Sequence, residues 1–453
     1  MSPEARLAEF IASLSTDTIP EQTRTTARRV LLACAGTGVA AAAEDGIAEL
    51  HALLLRRGGR EEARTFVFGN ALPAQAAAQF NGTLCRALDF CDALEPGSHN
   101  GSSVVPAAFA AAELAGGCSG SELLAGIVAG CEVGARLRLT EAMYNGLDPT
   151  GISVVFAATA AASHVLKLTP DQTLHALALA FNRCAGSFQS NIDGSLAVRV
   201  IQGWVAQTGI ECAELAAAGI TGPRNFLTGI YGFARLYGRG ELDTDQVVKD
   251  LGSQWHMNQI TFKKYPSCGA TQGMTELTLS LVHEFDLQPA DIESINVRIN
   301  PYCHRLVGGD FTPGDNPRVD AQFSARYCVS SAIVRKAAQL AHFRPDATRD
   351  AAVLDLIERV QCDGDPALDA RGHSSVELDL TLRDGRVQNR RMDVSPGFPG
   401  NALSQDDHVS RFEDCMRYAA RPLSAEQISA FTEAITKLET LDEATRLLDC
   451  LIA

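Results

Sequence analysis

From its start to about residue 240 this chain is a succession of Ala- and Leu-rich segments with helical periodicity and small residues on several sides. A helix that is small and apolar all round needs close neighbours, so these segments are expected to be buried core helices packed on one another. Apolar residues make up 46% of the 453 residues and aromatics only 6%, so the packing must come from aliphatic and Ala contacts. Glu21–Ala42 and Pro73–Ala87 read as helices. Pro106 is expected to open another at a first-turn position. Ser119 and Ser121 stand before Leu123–Val133 as possible caps, with Glu122 as a first-turn charge. Thr150–Leu166, Asp171–Ala180 and Ile201–Ala217 continue the series, the last ending at Gly219 where a C-terminal glycine belongs.

The pattern changes near residue 290. Ile295, Val297 and Ile299 alternate with polar residues, as in a half-buried strand. Val376, Leu378, Leu380 and Leu382 alternate likewise, Asp384-Gly385 supplies a turn, and Val387–Val394 returns, which is a hairpin signature. Ser324–Ala338 and Ala351–Val360 read as helices between the strands. The stretch from about Ser404 to Leu451 resembles the N-terminal part. The expected fold is therefore mainly α with a smaller α+β domain. Residues 1–262 and 400–453 form a large all-helical domain, and residues 263–399 an inserted α/β lid.

Formal net charge is −15, which argues against nucleic-acid binding. Thirteen Cys are scattered singly, without a C-x-x-C pair or Cys/His ligand spacing, so no metal site is expected. An odd Cys count and a start lacking the basic-then-apolar order of a signal peptide lead us to expect reduced thiols in a cytoplasmic protein. No uncharged apolar run reaches the roughly 20 residues that span a bilayer, so no membrane partner is expected.

Three segments carry candidate chemistry. Asp89-Phe90-Cys91-Asp92-Ala93-Leu94-Glu95-Pro96-Gly97-Ser98-His99 places three carboxylates and an imidazole in a punctuated loop between apolar helices. It reads either as a solvated acidic loop or as groups fixed for proton transfer. Phe262-Lys263-Lys264-Tyr265-Pro266-Ser267-Cys268 lies where helical sequence gives way to the α/β region. Its lysines suit a carboxylate, and Cys268 falls near a helix start; a surface Lys pair and a structural Cys is the alternative. Asp193-Gly194-Ser195 precedes a helix carrying Arg199 on its first turn. A cation is unfavourable there, so Arg199 should be paired, with a ligand carboxylate or with an internal acid. Phosphate-loop patterns are absent. Asp363-Gly364-Asp365 lacks calcium-loop spacing and reads as a plain loop. His164, His175, His283 and His373 read as packing or structural residues.

In this order the pieces resemble the MmgE/PrpD family, whose members include 2-methylcitrate dehydratase, cis-aconitate decarboxylase and iminodisuccinate epimerase. Ala87-Leu88-Asp89-Phe90 with His99 and Val105-Pro106-Ala107-Ala108 resembles its acidic loop, and Gly194-Ser195 through Arg199 to Gly222-Pro223 its central segment. Phe262–Cys268, Ala321-Gln322-Phe323-Ser324 and Ser395-Pro396-Gly397 resemble its later motifs. The resemblance covers essentially the whole chain. It implies a homodimer and a small-molecule carboxylate substrate, with no metal and no organic cofactor. It also implies proton transfer beside a carboxylate, followed by loss of water, loss of CO2 or return of the proton. Asp89 and His99 would then be catalytic, and Arg199, Lys263 and Lys264 would bind substrate carboxylates. Asp148, Cys268 and Ala93 would line the site. The chain departs from the family pattern in having Cys91 for an Asp, Ala93 for a Thr, Asp148 for a His, Arg199 for a Lys, and Cys268 where the decarboxylase has a His. These changes place dehydration ahead of epimerisation and decarboxylation third. A carboxylate-binding homologue without catalysis and a thiol enzyme using Cys268 are the rivals.

Overall fold

The computed structural model describes residues 1–453, which divide into two compact units. The first comprises Met1–Ala87, Cys91–Ile260 and Ala419–Ala453; the second comprises Leu88–Phe90 and Thr261–Tyr418. The chain is mainly helical with a smaller α+β part.

The first unit is built on the small-residue helices. Glu21–Ala40, Ala74–Arg86, Gly101–Leu114, Gly120–Arg136, Val155–Val165 and Ala197–Ala217 bury most of their length. Glycines set the closest crossings. A Cβ on Gly203 would stand 2.2 Å from the Gln79 carbonyl oxygen and 2.4 Å from Thr83 Oγ1, so helices Ala74–Arg86 and Ala197–Ala217 meet backbone to backbone. The starts are chemically marked: Ser119 with Glu122 and Thr169 with Gln172 form reciprocal capping boxes. No single helix is long and apolar enough to cross a membrane.

Two helix starts differ from expectation. The helix expected to open at Pro106 begins at Gly101, and Pro106 lies inside it. Its first turn is already satisfied upstream: the Gly101 N–H donates to Asp92 Oδ2 at 2.9 Å, and the Asn100 carbonyl accepts from Val104. The helix expected from Ile201 starts at Ala197, putting Arg199 in its first turn. It ends at Ala217, and Gly219 beyond it takes φ +91°.

In the second unit a four-stranded sheet carries the core. β1 (Ile292–Ile299), β2 (Val360–Gly364), β3 (Val376–Leu382) and β4 (Val387–Met392) lie in the order β2-β1-β3-β4. β1 and β2 are parallel, and the other pairs are antiparallel. The β3–β4 hairpin turns at Asp384-Gly385, with Gly385 at φ +87° and Leu382 N–H bonded to the Arg386 carbonyl. Alternating buried residues of β1 and β3 pack with Met274, Leu277 and Leu281 of helix Gln272–Phe285 and with Val329 and Ile333 of helix Ala325–Arg335.

The expected helix Ala351–Val360 ends at Ile357, and β2 follows. Val360 and Cys362 are buried in it, so Asp363-Gly364 closes a strand instead of lying in a loop. The helix Gln405–Tyr418, expected with the helical body, belongs to the second unit. Its own contacts explain this: Asp414 accepts the Leu340 N–H at 2.9 Å, and the His408 ring meets Phe262 edge-on.

Candidate functional site

Asp89 belongs to a three-residue segment whose carbonyls are each held by a side chain of the second unit. Leu88 O accepts from Gln322 Nε2 at 2.7 Å, Asp89 O from Lys263 Nζ at 2.9 Å, and Phe90 O from Arg411 Nη2 at 2.7 Å. The Arg411 guanidinium also lies 4.7 Å from the centre of the Phe90 ring. So held, Asp89 takes a left-handed backbone conformation, φ +51°, unusual for a non-glycine residue. Its carboxylate Oδ2 lies 2.7 Å from Lys263 Nζ. Asp89 is 4% exposed and Lys263 2%, so this is a buried ion pair between two of the residues the sequence singled out.

Lys264 goes elsewhere. Its ammonium is 2.9 Å from Glu276 and 3.7 Å from Asp407, half-buried and beside the Tyr265 ring. Burial and the Glu276 carboxylate push the Tyr265 hydroxyl well above its ordinary range. Cys268 is buried directly before the short helix Gly269–Thr271, as expected. Its N–H donates to the Gln322 carbonyl, and its own carbonyl accepts from Thr271 Oγ1 at 2.8 Å and from Gln272 Nε2 at 3.3 Å.

In the first unit His99 is 9% exposed, and its Nδ1 lies 2.6 Å from the Asp92 main-chain oxygen. A carbonyl only accepts, so Nδ1 carries the proton, and in the neutral ring the lone pair sits on Nε2. Cys91 Sγ stands 3.7 Å from the same nitrogen. Ala93 is half-buried one residue beyond Asp92.

Asp148 is 5% exposed, and its Oδ1 accepts from the N–H groups of Thr150 at 2.8 Å and Gly151 at 3.4 Å. These begin a π-helical turn, Thr150–Val154, that leads into Val155–Val165. Burial raises the Asp148 carboxyl above its ordinary value, and the two N–H bonds and the charge of Arg86 offset part of that. Arg199 is 2% exposed, donates from Nη1 to the Asp45 carbonyl at 2.6 Å and places Nη2 3.5 Å from Glu44. An internal acid therefore meets the cation at this helix start.

A residue that sequence reasoning passed over joins the elements bearing His99, Asp148 and Arg199. Ser103 Oγ, in the helix after His99, donates to Gln202 Oε1 at 2.5 Å. Gln202 Nε2, in the helix of Arg199, donates to Thr150 Oγ1 at 2.8 Å. Gln202 and Ser103 are fully buried and Thr150 nearly so. The available signal was a polar residue set in the apolar run Val200-Ile201-Gln202-Gly203. Of the histidines read as packing residues, His164 Nδ1 bonds the Ile11 carbonyl and His175 Nδ1 accepts from the Gly222 N–H. The His373 ring packs against Tyr302, whereas His283, expected to pack, is exposed and reaches the Lys336 carbonyl at the surface. No cluster of three His, Cys, Asp or Glu side chains is arranged to hold a metal ion.

Residues 5–245 match the MmgE/PrpD N-terminal domain, and residues 265–437 match the MmgE/PrpD C-terminal domain. The cis-aconitate decarboxylase-like protein oryM of Aspergillus oryzae is 26% identical over 401 residues, covering 83% of this chain and 81% of that protein. Cis-aconitate decarboxylase of Homo sapiens is 26% identical over 392 residues, covering 83% of this chain and 79% of its own length. The 2-methylcitrate dehydratase of Salmonella typhimurium is 25% identical over 260 residues, about half of each chain at 56% and 53%. With its two family domains matched in succession along most of its length, the chain belongs to the MmgE/PrpD family and is an enzyme of that type.

Proposed function

We propose that this protein is a hydro-lyase for a small di- or tricarboxylate, removing a proton from a carbon beside a carboxylate and expelling water. The observation that carries the reading is the buried Asp89–Lys263 pair, 2.7 Å apart on a backbone fixed by three side chains. Deprotonation next to a carboxylate throws negative charge onto its oxygens, and a pre-positioned ammonium with little water around it stabilises that charge. Proton transfer is assigned to His99 Nε2, with Asp89 as the second acid–base group. Lys263 is assigned to the substrate carboxylate. Lys264, held by Glu276 and Asp407, is not, and Arg199 is assigned to the helix start it shares with Glu44 and Asp45. Asp148, Ala93 and Cys268 remain specificity positions in this reading. The side chains named supply the proton transfer and the cation, and no step is routed through a metal or organic cofactor.

Loss of CO2 is the second reading. It is favoured by the greater extent over which the decarboxylase relatives align, 83% of the chain against 56% for the dehydratase. A homodimer is proposed from the surface: eight of the thirteen exposed large apolar side chains fall between Ile192 and Leu236, among them Trp204, Ile230 and Tyr231. Incubation with a panel of citrate-like acids in D2O, followed by NMR, tests the function. Deuterium exchange at a carbon beside a carboxylate with a new alkene and no CO2 supports the hydro-lyase, whereas CO2 release supports the second reading. Full turnover by His99→Ala would remove His99 from the chemistry. Calorimetric binding of these acids without turnover or exchange would leave a carboxylate-binding protein.

A further inference from the structure

We infer that Asp92 is a positioning residue that fixes the tautomer and direction of the His99 ring. The inference rests on the reading of His99 as the acid–base group, and it uses both ends of one buried residue. The main-chain oxygen of Asp92 accepts the His99 Nδ1 proton at 2.6 Å. Its carboxylate Oδ2 accepts the Gly101 N–H at 2.9 Å, at the first residue of the helix that follows His99. Asp92 thus grips the chain on both sides of His99: the ring by its carbonyl, the next helix by its side chain. Between them, the Leu94 N–H bonds the Ser98 carbonyl at 2.8 Å and the Ser98 N–H bonds the Leu94 carbonyl at 2.9 Å, closing the loop that returns the chain to Asp92.

The surroundings are built for this contact. Asp92 is fully buried, and a Cβ on Gly101 would lie 2.6 Å from Asp92 Oδ1 and 2.8 Å from Cys34 Sγ. Only a glycine lets the helix N-terminus approach the carboxylate so closely. Cys34 Sγ lies 4.0 Å from Asp92 Oδ1. Burial first, with the Asp92 charge adding to it, holds the thiols of Cys34, Cys85 and Cys131 well above their ordinary range, so they remain neutral around it. A helix N-terminus favours an anion by its dipole, and a carboxylate there is held in one orientation. The Asp92 peptide, and with it the carbonyl that faces His99, is fixed as a consequence. Cys91 Sγ, 3.5 Å from the same carbonyl, adds a weak donor.

The test reads the ring itself before it reads turnover. Nitrogen NMR of isotope-labelled histidine in the full-length wild type, without substrate, is expected to show His99 with a protonated Nδ1 and an unprotonated Nε2 in its neutral form. Asp92→Ala is expected to give a mixture of tautomers, with kcat lower by about tenfold or more and KM within about twofold. Asp92→Asn keeps an acceptor for the Gly101 N–H and is expected to restore the single tautomer, with kcat within about threefold of wild type. The inference is overturned if wild-type His99 carries its proton on Nε2. It is also overturned if Asp92→Ala keeps the wild-type tautomer and kcat while only its melting temperature falls. Should Asp92→Ala fail to fold, the wild-type spectrum and Asp92→Asn still decide. The tautomer is read without turnover, so an active His99→Ala variant would sink the proposed function and leave this result standing.

Discussion

Removing the Lys263 ammonium should destabilise the second unit by a predictable amount, and removing its partner as well should cost far less than the two changes summed. Lys263→Met keeps an unbranched side chain, one atom shorter, and leaves the Asp89 carboxylate, 4% exposed, without the ammonium 2.7 Å away. Breaking a buried pair from one side costs about 3–5 kcal/mol, because the remaining charge stays desolvated. Asp89→Asn is the matching change, chosen because Asn tolerates the left-handed backbone at φ +51° that Ala would resist. It leaves the buried ammonium with a neutral acceptor, at a cost of about 2–3 kcal/mol. The double variant contains no buried unpaired charge. It should therefore lose only about 3 kcal/mol instead of the sum of the singles, a coupling of about 3 kcal/mol. Tryptophan fluorescence is the wrong assay, since Trp204 and Trp255 both belong to the first unit. Hydrogen exchange read on peptides from Gln272–Phe285 and Val376–Leu382 reports the second unit directly. A 3 kcal/mol loss there speeds exchange by about a hundredfold. Exchange at the wild-type rate in Lys263→Met, or single-variant effects that simply add in the double, would refute the reasoning.

Asp148→Asn should stabilise the fold increasingly as pH rises. Burial raises the Asp148 carboxyl in the folded chain above its unfolded value, so wild-type stability is full below the ordinary carboxyl range and falls as pH climbs through the raised one. Asn keeps the acceptor for Thr150 and Gly151 and does not titrate; melting curves from pH 3 to pH 8 should show a gap opening in favour of Asn, and a gap closing with pH would contradict the assignment. Gln202→Leu should cost about 2 kcal/mol in urea unfolding followed by tryptophan fluorescence, because Ser103 and Thr150 lose their shared amide inside a buried contact; an unchanged midpoint would show that the bridge carries no energy. Eleven of the thirteen thiols are buried and only Cys184 and Cys450 are partly exposed, so native-state labelling with a disulfide reagent should be confined to those two while denaturant releases the rest. Fast labelling of Cys268 with loss of turnover would revive a thiol mechanism.

Periodicity recorded which segments are buried, and it served well where burial and local chemistry decide. The helical body, the Ser119–Glu122 capping box and the hairpin turning at Asp384-Gly385 all follow from residues a few positions apart. The need for Arg199 to meet an acid followed from the helix dipole alone; its acid, Glu44, did not, because the two residues approach only in the folded chain. The same limit explains β2, whose parallel partner β1 lies some sixty residues earlier. It explains the helix start at Gly101, which is set by the Asp92 carboxylate and not by the Pro106 ring. It explains Gln202 as well, whose two partners belong to two other helical segments.

The two adjacent lysines show why residue type alone could not settle the candidate site. Lys263 and Lys264 are chemically identical and one peptide bond apart, yet one is buried against Asp89 and the other sits half-buried between Glu276 and Asp407. What separates them is the direction each side chain takes where the chain leaves the two-residue strand Thr261–Phe262 and bends, one toward Asp89 and the other toward Glu276 and Asp407. The departures from the family pattern gain a similar meaning. Cys91 Sγ stands 3.7 Å from His99 Nδ1, and the Asp148 carboxylate stands at the head of the Thr150–Val154 turn. At the first position Nδ1 also lies 2.6 Å from the Asp92 main-chain oxygen. At the second position two N–H groups and the Arg86 charge hold the carboxylate. The two substitutions are best treated as one exchange, and reverting them singly should disturb the site more than reverting both. Measured turnover of Cys91→Asp, Asp148→His and the double variant on the same acid decides whether they are coupled.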